Sequence, residues 1–432
     1  MTKVVAALAL ALASNWPLYG YDTARHNVGP GSGITASNVA HLARQQVRLD
    51  GTVDSSAIMV NGTIFVTTTY GRTEAINAKT GKVKWRYTPV TYSSLAGSAQ
   101  ITNASPAADP SGTAIYAASP DGVIRKLRAS NGGVLWQTKV TRDPTHEKLT
   151  SSINVSRGLV IVTTGGFIGD APPYQGHVVT LYAKTGRIDH VWNSLCADRR
   201  TLITPSTCPA SDSAIWSRNG AAVDPANGNL VIATGNAPYD GKTNFGDSVV
   251  ILSPNASRMV GHWTPANQAQ LNSSDADLGS TSPAFLPSGF AVQGGKDGVL
   301  RLLQLHGHPH LVQSLSTPGS TDLFSEPAVW QGKWVFVADS AGTQAWRFSG
   351  GKLHAVWSNS NDGTSPVIAG GLLYVAGNGA VRVYVPTSGK LLATLASGSV
   401  HWQSPIVAGG VVVMPEGDAN DHATSGVLDL YR

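Results

Sequence analysis

Four stretches of this chain carry the atom types that binding or redox chemistry requires. Glu416-Gly417-Asp418-Ala419-Asn420-Asp421-His422 gathers side-chain oxygens into one short run and can serve a hard cation such as calcium, although its spacing is not that of an EF-hand loop. His306-Gly307-His308-Pro309-His310 offers metal-type nitrogens, but no carboxylate or cysteine stands beside it in the chain. Gly29-Pro30-Gly31-Ser32-Gly33 lacks the strand-then-helix setting of a phosphate loop, and no Gly-x-Ser-x-Gly elbow occurs, so nucleotide-loop and elbow-hydrolase readings fall. Cys196 and Cys208 share a Pro/Ser/Thr-rich stretch; in an exported chain such a pair oxidises to a loop-closing disulfide, and the alternative is a free structural pair. Without a C-x-x-C-H motif the chain attaches no c-type haem of its own.

The elements that must position these residues are β-rich. Forty-seven Gly and 24 Pro beside 13% charged and 42% hydrophobic residues describe a turn-rich chain with a real core, which excludes disorder and coiled coil. The net charge of +5 comes from 31 basic and 26 acidic residues, with no run of four Lys/Arg, so no basic stripe for nucleic acid forms. The one long apolar run, at residues 4–13 behind Lys3, is too short to span a bilayer. Ala11-Leu12-Ala13 ends it in the small-x-small form of a signal-peptidase site, so residues 1–13 are expected to be an export signal ahead of one domain over 14–432.

Self-comparison organises the remainder. Asn61-Gly62-Thr63-Ile64-Phe65-Val66-Thr67 is followed by Glu74-Ala75-Ile76-Asn77-Ala78-Lys79-Thr80-Gly81-Lys82-Val83-Lys84-Trp85, and the same order of parts returns through Asn131-Gly132 to Trp136 and through Thr185-Gly186 to Trp192. Weaker copies end at Trp263 and Trp357, and Leu395 takes the equivalent place after Thr387-Ser388-Gly389. Eight units begin this way, several of them with Ser-Pro or Glu-Pro. Within each, runs of Val, Ile, Tyr and Thr alternate with Asn-Gly, Gly-Gly or Thr-Gly, which are hairpin signals. Eight four-stranded antiparallel units without a helical period predict an all-β, eight-bladed β-propeller. The Trp near the end of each outer strand is large enough to fasten its blade to the next. The last unit supplies 404–408, 411–415 and 427–431 and stops one strand short, while 46–49 precedes the first unit as a spare strand; the two should pair and close the ring.

In such a blade the turns between strands one and two, and three and four, lie on one face, and the remaining loops and blade links on the other. The first set is short almost everywhere. The insertions, at 165–176, 235–247, 416–426, 193–213 and 265–279, all belong to the second set, which places the functional face there, together with both cysteines.

The recurring Ala-x-Asn/Lys-x-x-Gly-x-x-x-Trp pattern resembles the repeat of pyrroloquinoline-quinone (PQQ) dehydrogenase propellers, and Trp16-Pro17-Leu18-Tyr19-Gly20-Tyr21-Asp22 is similar to how those chains begin. The resemblance runs over 16–432. It implies that Trp216, in Ile215-Trp216-Ser217-Arg218, stacks under the quinone and that Asn236, in Ala233-Thr234-Gly235-Asn236, helps hold a calcium ion. It implies Asp277 as the catalytic carboxylate with Asp275 beside it, and Lys296, in Gly294-Gly295-Lys296-Asp297-Gly298, as the cation next to the quinone oxygen. Asp277 would also serve the metal, and Asp170 stands, out of register, where the family has a calcium-binding Glu. The family's adjacent cysteine pair is absent. The function expected is an exported, PQQ- and calcium-dependent dehydrogenase that oxidises an alcohol or sugar, a small molecule, and passes electrons to an external acceptor. Two alternatives stand beside it: a cofactor-free scaffold or ligand-binding propeller, and a hydrolase on this fold, similar to tetrathionate hydrolases, that uses an Asp.

Overall fold

Where a two-residue Asn-Gly or Gly-Gly turn separates two apolar runs, both residues adopt left-handed φ, as at Asn61 (50°) and Gly62 (68°) or Gly409 (56°) and Gly410 (78°). That geometry matches the twist of antiparallel strands and joins the first two strands of a blade. In the computed structural model, which describes residues 15–432 except Thr321, this hairpin opens blade one as Ile58–Val60 and Thr63–Thr67. Thr73–Asn77 and Val83–Tyr87 complete it as the third and outermost strands. Eight four-stranded antiparallel blades of this kind follow one another in a ring, the eight-bladed β-propeller expected, with Val28–Gly29 adding a short parallel strand to the seventh. The expected export signal lies outside the described residues.

Closure follows the predicted route. The final blade consists of Ile406–Ala408, Val411–Glu416 and Gly426–Tyr431, and Arg44–Leu49 from the start of the chain adds its outer strand, paired from Arg44 with Tyr431 to Leu49 with Gly426. The apolar core lies between blades rather than within one sheet. Leu18, Tyr116 and Ile124 meet Val160 and Val179, for example, where blades two and three face each other.

A recurring indole tether joins blades. Trp85 donates its ring N–H to Ala129 O (2.9 Å), Trp136 to Ala183 O (3.1 Å) and Trp357 to Pro386 O (2.7 Å). In each case the ring lies on the left-handed Gly three residues further on, at Gly132, Gly186 or Gly389, where a Cβ would come within 2.7 Å of it. Trp192 and Trp263 fall two positions later in their strands, and they fasten by packing: fully buried Trp192 meets Phe245 of blade four, and Trp263 packs on the cluster shared by blades four and five. Between the last blade and the first, Arg432 takes the place of the indole, its Nε and Nη2 donating to Ala78 O at 3.0 and 2.7 Å.

The segment ahead of the closing strand has a structural task that its sequence does not announce. Inner strands present free edges to the central channel. Residues 16–29 cover them: Met59, Ala108, Val223, Val329 and Ile368 donate their N–H groups to Trp16, Pro17, Thr23, His26 and Asn27. Arg25, fully buried, donates to Tyr19 O, Ser152 O and Ile153 O and ties this plug to blade three.

Candidate functional site

Every blade is entered through a link, and the residues four places before the inner strands occupy equivalent positions around the ring. In chain order these are Asp54, Asn103, Thr150, Arg218, Ser280, Phe324, Gly363 and Trp402. Asn103 Nδ2 donates to Asp54 Oδ2 (2.7 Å), the Arg218 guanidinium lies 4.6 Å over the Trp402 ring, and Phe324 stacks on Trp402 at 5.2 Å. The ring therefore arrives with a polar arc and an aromatic arc. On the elaborated face it borders a cavity of about 310 Å³, within the range of small-ligand sites.

All the residues singled out in the sequence reach this cavity: Trp216, Asn236, Asp275, Asp277, Lys296 and Asp170. Trp216, half-buried, packs its ring against Phe324 (5.9 Å) and Trp402 (5.7 Å) and has the Lys296 ammonium 5.4 Å from its centroid. Asp277 is buried, with one oxygen accepting from the Asn236 backbone N–H (2.5 Å) and the other 2.6 Å from Lys296 Nζ. Lys296 also reaches Asp275 Oδ1 at 3.0 Å, on a side chain 58% exposed. Burial pushes the Asp277 carboxyl up from its ordinary range against the pull of Lys296. Burial likewise works against the Lys296 ammonium, but Asp277 and Asp275 prevail and hold it above the usual lysine value.

Local backbone explains how these groups meet. Gly235 precedes Asn236, and a Cβ there would stand 2.5 Å from Asp277 Oδ1, so only glycine admits the carboxylate. Asp247 anchors the other side by accepting the Leu278 N–H (3.1 Å), and burial pushes its carboxyl up to about 7. The Cys196–Cys208 disulfide is formed (S–S 2.07 Å) and braces the loop that carries Asn236: Ala197 N–H donates to Thr243 O and the cystine packs with Ala237. Asp170 is exposed, with Oδ1 accepting from the Tyr174 hydroxyl (2.7 Å).

The remaining sequence motifs separate. From the oxygen-rich loop only Asp418 meets other potential metal ligands, Asp54 and His401, the sole such cluster among the described residues. His306 does find a carboxylate, Asp224 of the neighbouring blade at 2.6 Å, which a scan along the chain could not reveal. Sequence reasoning also passed over Lys148, Arg218, Phe324 and Trp402. A signal for the last two existed: each stands three residues before a blade-opening Pro, as Asn103 does.

A bound quinone and its ion pose different demands. The half-buried indole and the cationic side chains of Lys148 and Arg218 suit a flat polycarboxylate such as PQQ. Calcium asks for six to eight oxygens. Asn236, Asp277 and Asp170 carry at most five side-chain oxygens, and both of Asp277's are engaged, by the Asn236 N–H and by Lys296, so these residues fit the quinone better than the ion.

Comparison with known proteins agrees with this geometry. The family model described as "Outer membrane protein assembly factor BamB", a PQQ-repeat model, matches residues 43–228. The dehydrogenase subunit of alcohol dehydrogenase (quinone) from Komagataeibacter europaeus is 25% identical over 296 residues, covering 59% of this chain and 39% of that protein. The chain thus spans about two fifths of the length of the curated relatives it matches. Among solved structures, the quinohemoprotein alcohol dehydrogenase from Comamonas testosteroni superposes with a TM-score of 0.76 at 16% identity, over 99% of this chain and 82% of that one. A europium-containing methanol dehydrogenase does so at 0.74 and 16%, over 97% and 98%. The repeat, the blade count and these relatives agree: residues 43–228 match the PQQ-repeat model, and the chain has the fold of these dehydrogenase propellers.

Proposed function

We propose that this propeller is a PQQ-dependent dehydrogenase acting on a small alcohol or sugar, with electrons leaving to an external acceptor. The observation that carries the reading is the Asp277–Lys296 pair set beside a half-buried indole in one cavity. Trp216 would hold the quinone plane, with Lys148 and Arg218 opposite its carboxylates. When bound, PQQ supplies the two-electron acceptor for hydride. The chain's own task is the proton. Lys296 keeps Asp277 ionised, and burial makes that carboxylate a stronger base than one in water, which suits it to accept the hydroxyl proton of an alcohol. Lys296, held protonated between two carboxylates, places positive charge where negative charge would develop. Asp275, exposed and on the same ammonium, modulates that charge. The disulfide suits an oxidising compartment, in keeping with export, and no helix among the described residues is long and apolar enough to cross a membrane.

Purified protein incubated with PQQ, with and without calcium, then desalted, should retain quinone absorbance in both cases and support dye-coupled alcohol oxidation. Asp277→Asn should keep the quinone and lose the oxidation. Failure to retain quinone at any calcium concentration would overturn the reading and leave a cofactor-free scaffold or ligand-binding propeller.

A further inference from the structure

The cavity contains two lysines in opposite surroundings. Lys296 is clamped between Asp275 and Asp277. Lys148 comes from the link between blades two and three, where its backbone exchanges two hydrogen bonds with Gly165 (2.7 and 3.0 Å) and its side chain is buried at the cavity wall. Among the described residues its ammonium has no hydrogen bond and no carboxylate within ion-pair distance. Asp54, the nearby acid, is already held by Asn103, His401 and the Ala419 N–H. The other charged neighbours are Asp418 and buried Arg218, whose Nη2 lies 3.6 Å from Asp54 Oδ1. Burial, then Arg218, bring the Lys148 amine down to about 8, against the weaker pull of Asp54 and Asp418. A desolvated lysine beside a second cation is the arrangement that makes an amine nucleophilic near neutral pH.

We propose that Lys148 is a carbonyl-reactive amine, which captures an aldehyde or ketone entering the cavity as an imine on Nζ. The nitrogen lone pair adds to the carbonyl carbon while the C=O electron pair moves to oxygen. Proton transfer from nitrogen to that oxygen gives a carbinolamine, and loss of one water forms the C=N bond. No oxidant or reductant is consumed, and hydrolysis reverses the capture. The inference concerns the chain without cofactor; where the dehydrogenase reading holds, a quinone carboxylate facing Lys148 would compete with the capture.

The test uses the full chain without cofactor, butanal and sodium cyanoborohydride, followed by peptide mass spectrometry. At pH 8 about half of Lys148 is neutral, against well under 1% of an ordinary lysine with a value near 10.4. Butylation of Lys148 should therefore run at least tenfold faster than that of exposed Lys79, with Lys296 slower still, and its rate should climb as pH rises through about 8. Lys148→Arg should abolish the fast labelling and leave the melting temperature and Lys79 labelling unchanged. Equal rates at Lys148 and Lys79, or faster labelling of Lys296, would overturn the proposal. This comparison is made within the wild-type chain and does not depend on any variant folding.

Discussion

Replacing Lys296 by Met tests whether the cavity is organised by the ion pair. Unit charges 2.6 Å apart attract by about 6 kcal/mol at an effective dielectric of ~20. Desolvation of both partners reduces the net worth of the pair, yet removing one of them strands a buried charge, at a cost of roughly 3–5 kcal/mol. For 432 residues at ~2.1 cal/mol/K each, the unfolding entropy is about 0.9 kcal/mol/K, so the melting temperature should fall by about 3–6 °C. The loss must depend on pH with a definite sign. Burial already raises the folded-state value of Asp277, and without Lys296 it rises further. A carboxyl whose folded value exceeds its unfolded one does no harm while protonated, below about pH 4, and destabilises progressively as pH rises toward the folded value. Scanning fluorimetry of the wild type, Lys296→Met, Asp277→Asn and the double variant between pH 4 and 8 measures this. The single Met variant should approach the wild type at pH 4 and diverge above it, and Asp277→Asn in that background should restore most of the loss. A pH-independent deficit, or a double variant no more stable than Lys296→Met, would refute the reasoning.

Trp216→Ala should weaken quinone retention severely and move the melting temperature little, whereas Trp357→Ala, which cuts an indole tether to the next blade, should cost on the order of 3 kcal/mol in chemical denaturation. Arg432→Ala removes the two hydrogen bonds that join the last blade to Ala78, and unfolding should become easier by about 1–3 kcal/mol, with hydrogen exchange rising first along Arg44–Leu49. Fully buried Glu326 accepts the Asn219 and Ser282 N–H groups, and burial raises its carboxyl to about 7. Its contribution to stability is complete below about pH 4.5 and is lost as pH passes 7, so Glu326→Gln should flatten the dependence of melting temperature on pH between 5 and 8.

Much of this architecture is decided locally. Asn61-Gly62 and its counterparts can form tight hairpins with no help from the rest of the chain, because their φ angles are available to Asn and Gly and the flanking runs alternate in the period of a strand. Repetition of that unit determines blade count, closure and the face on which long loops gather. Trp216, Asn236, Asp277 and Lys296 were legible from the likeness of their short motifs to those of a known family, and the fold brings all four to one cavity. Tertiary structure decided what no local rule contains. Lys148 and Lys296 are the same residue type on similar loops, yet one meets two carboxylates and the other meets Arg218, because the circular order of the blades chooses their neighbours. Residues 16–29 form a plug only because a closed ring leaves inner strand edges to cover. Contacts across a ring join residues far apart in sequence, and the charge state of a buried group depends on those contacts.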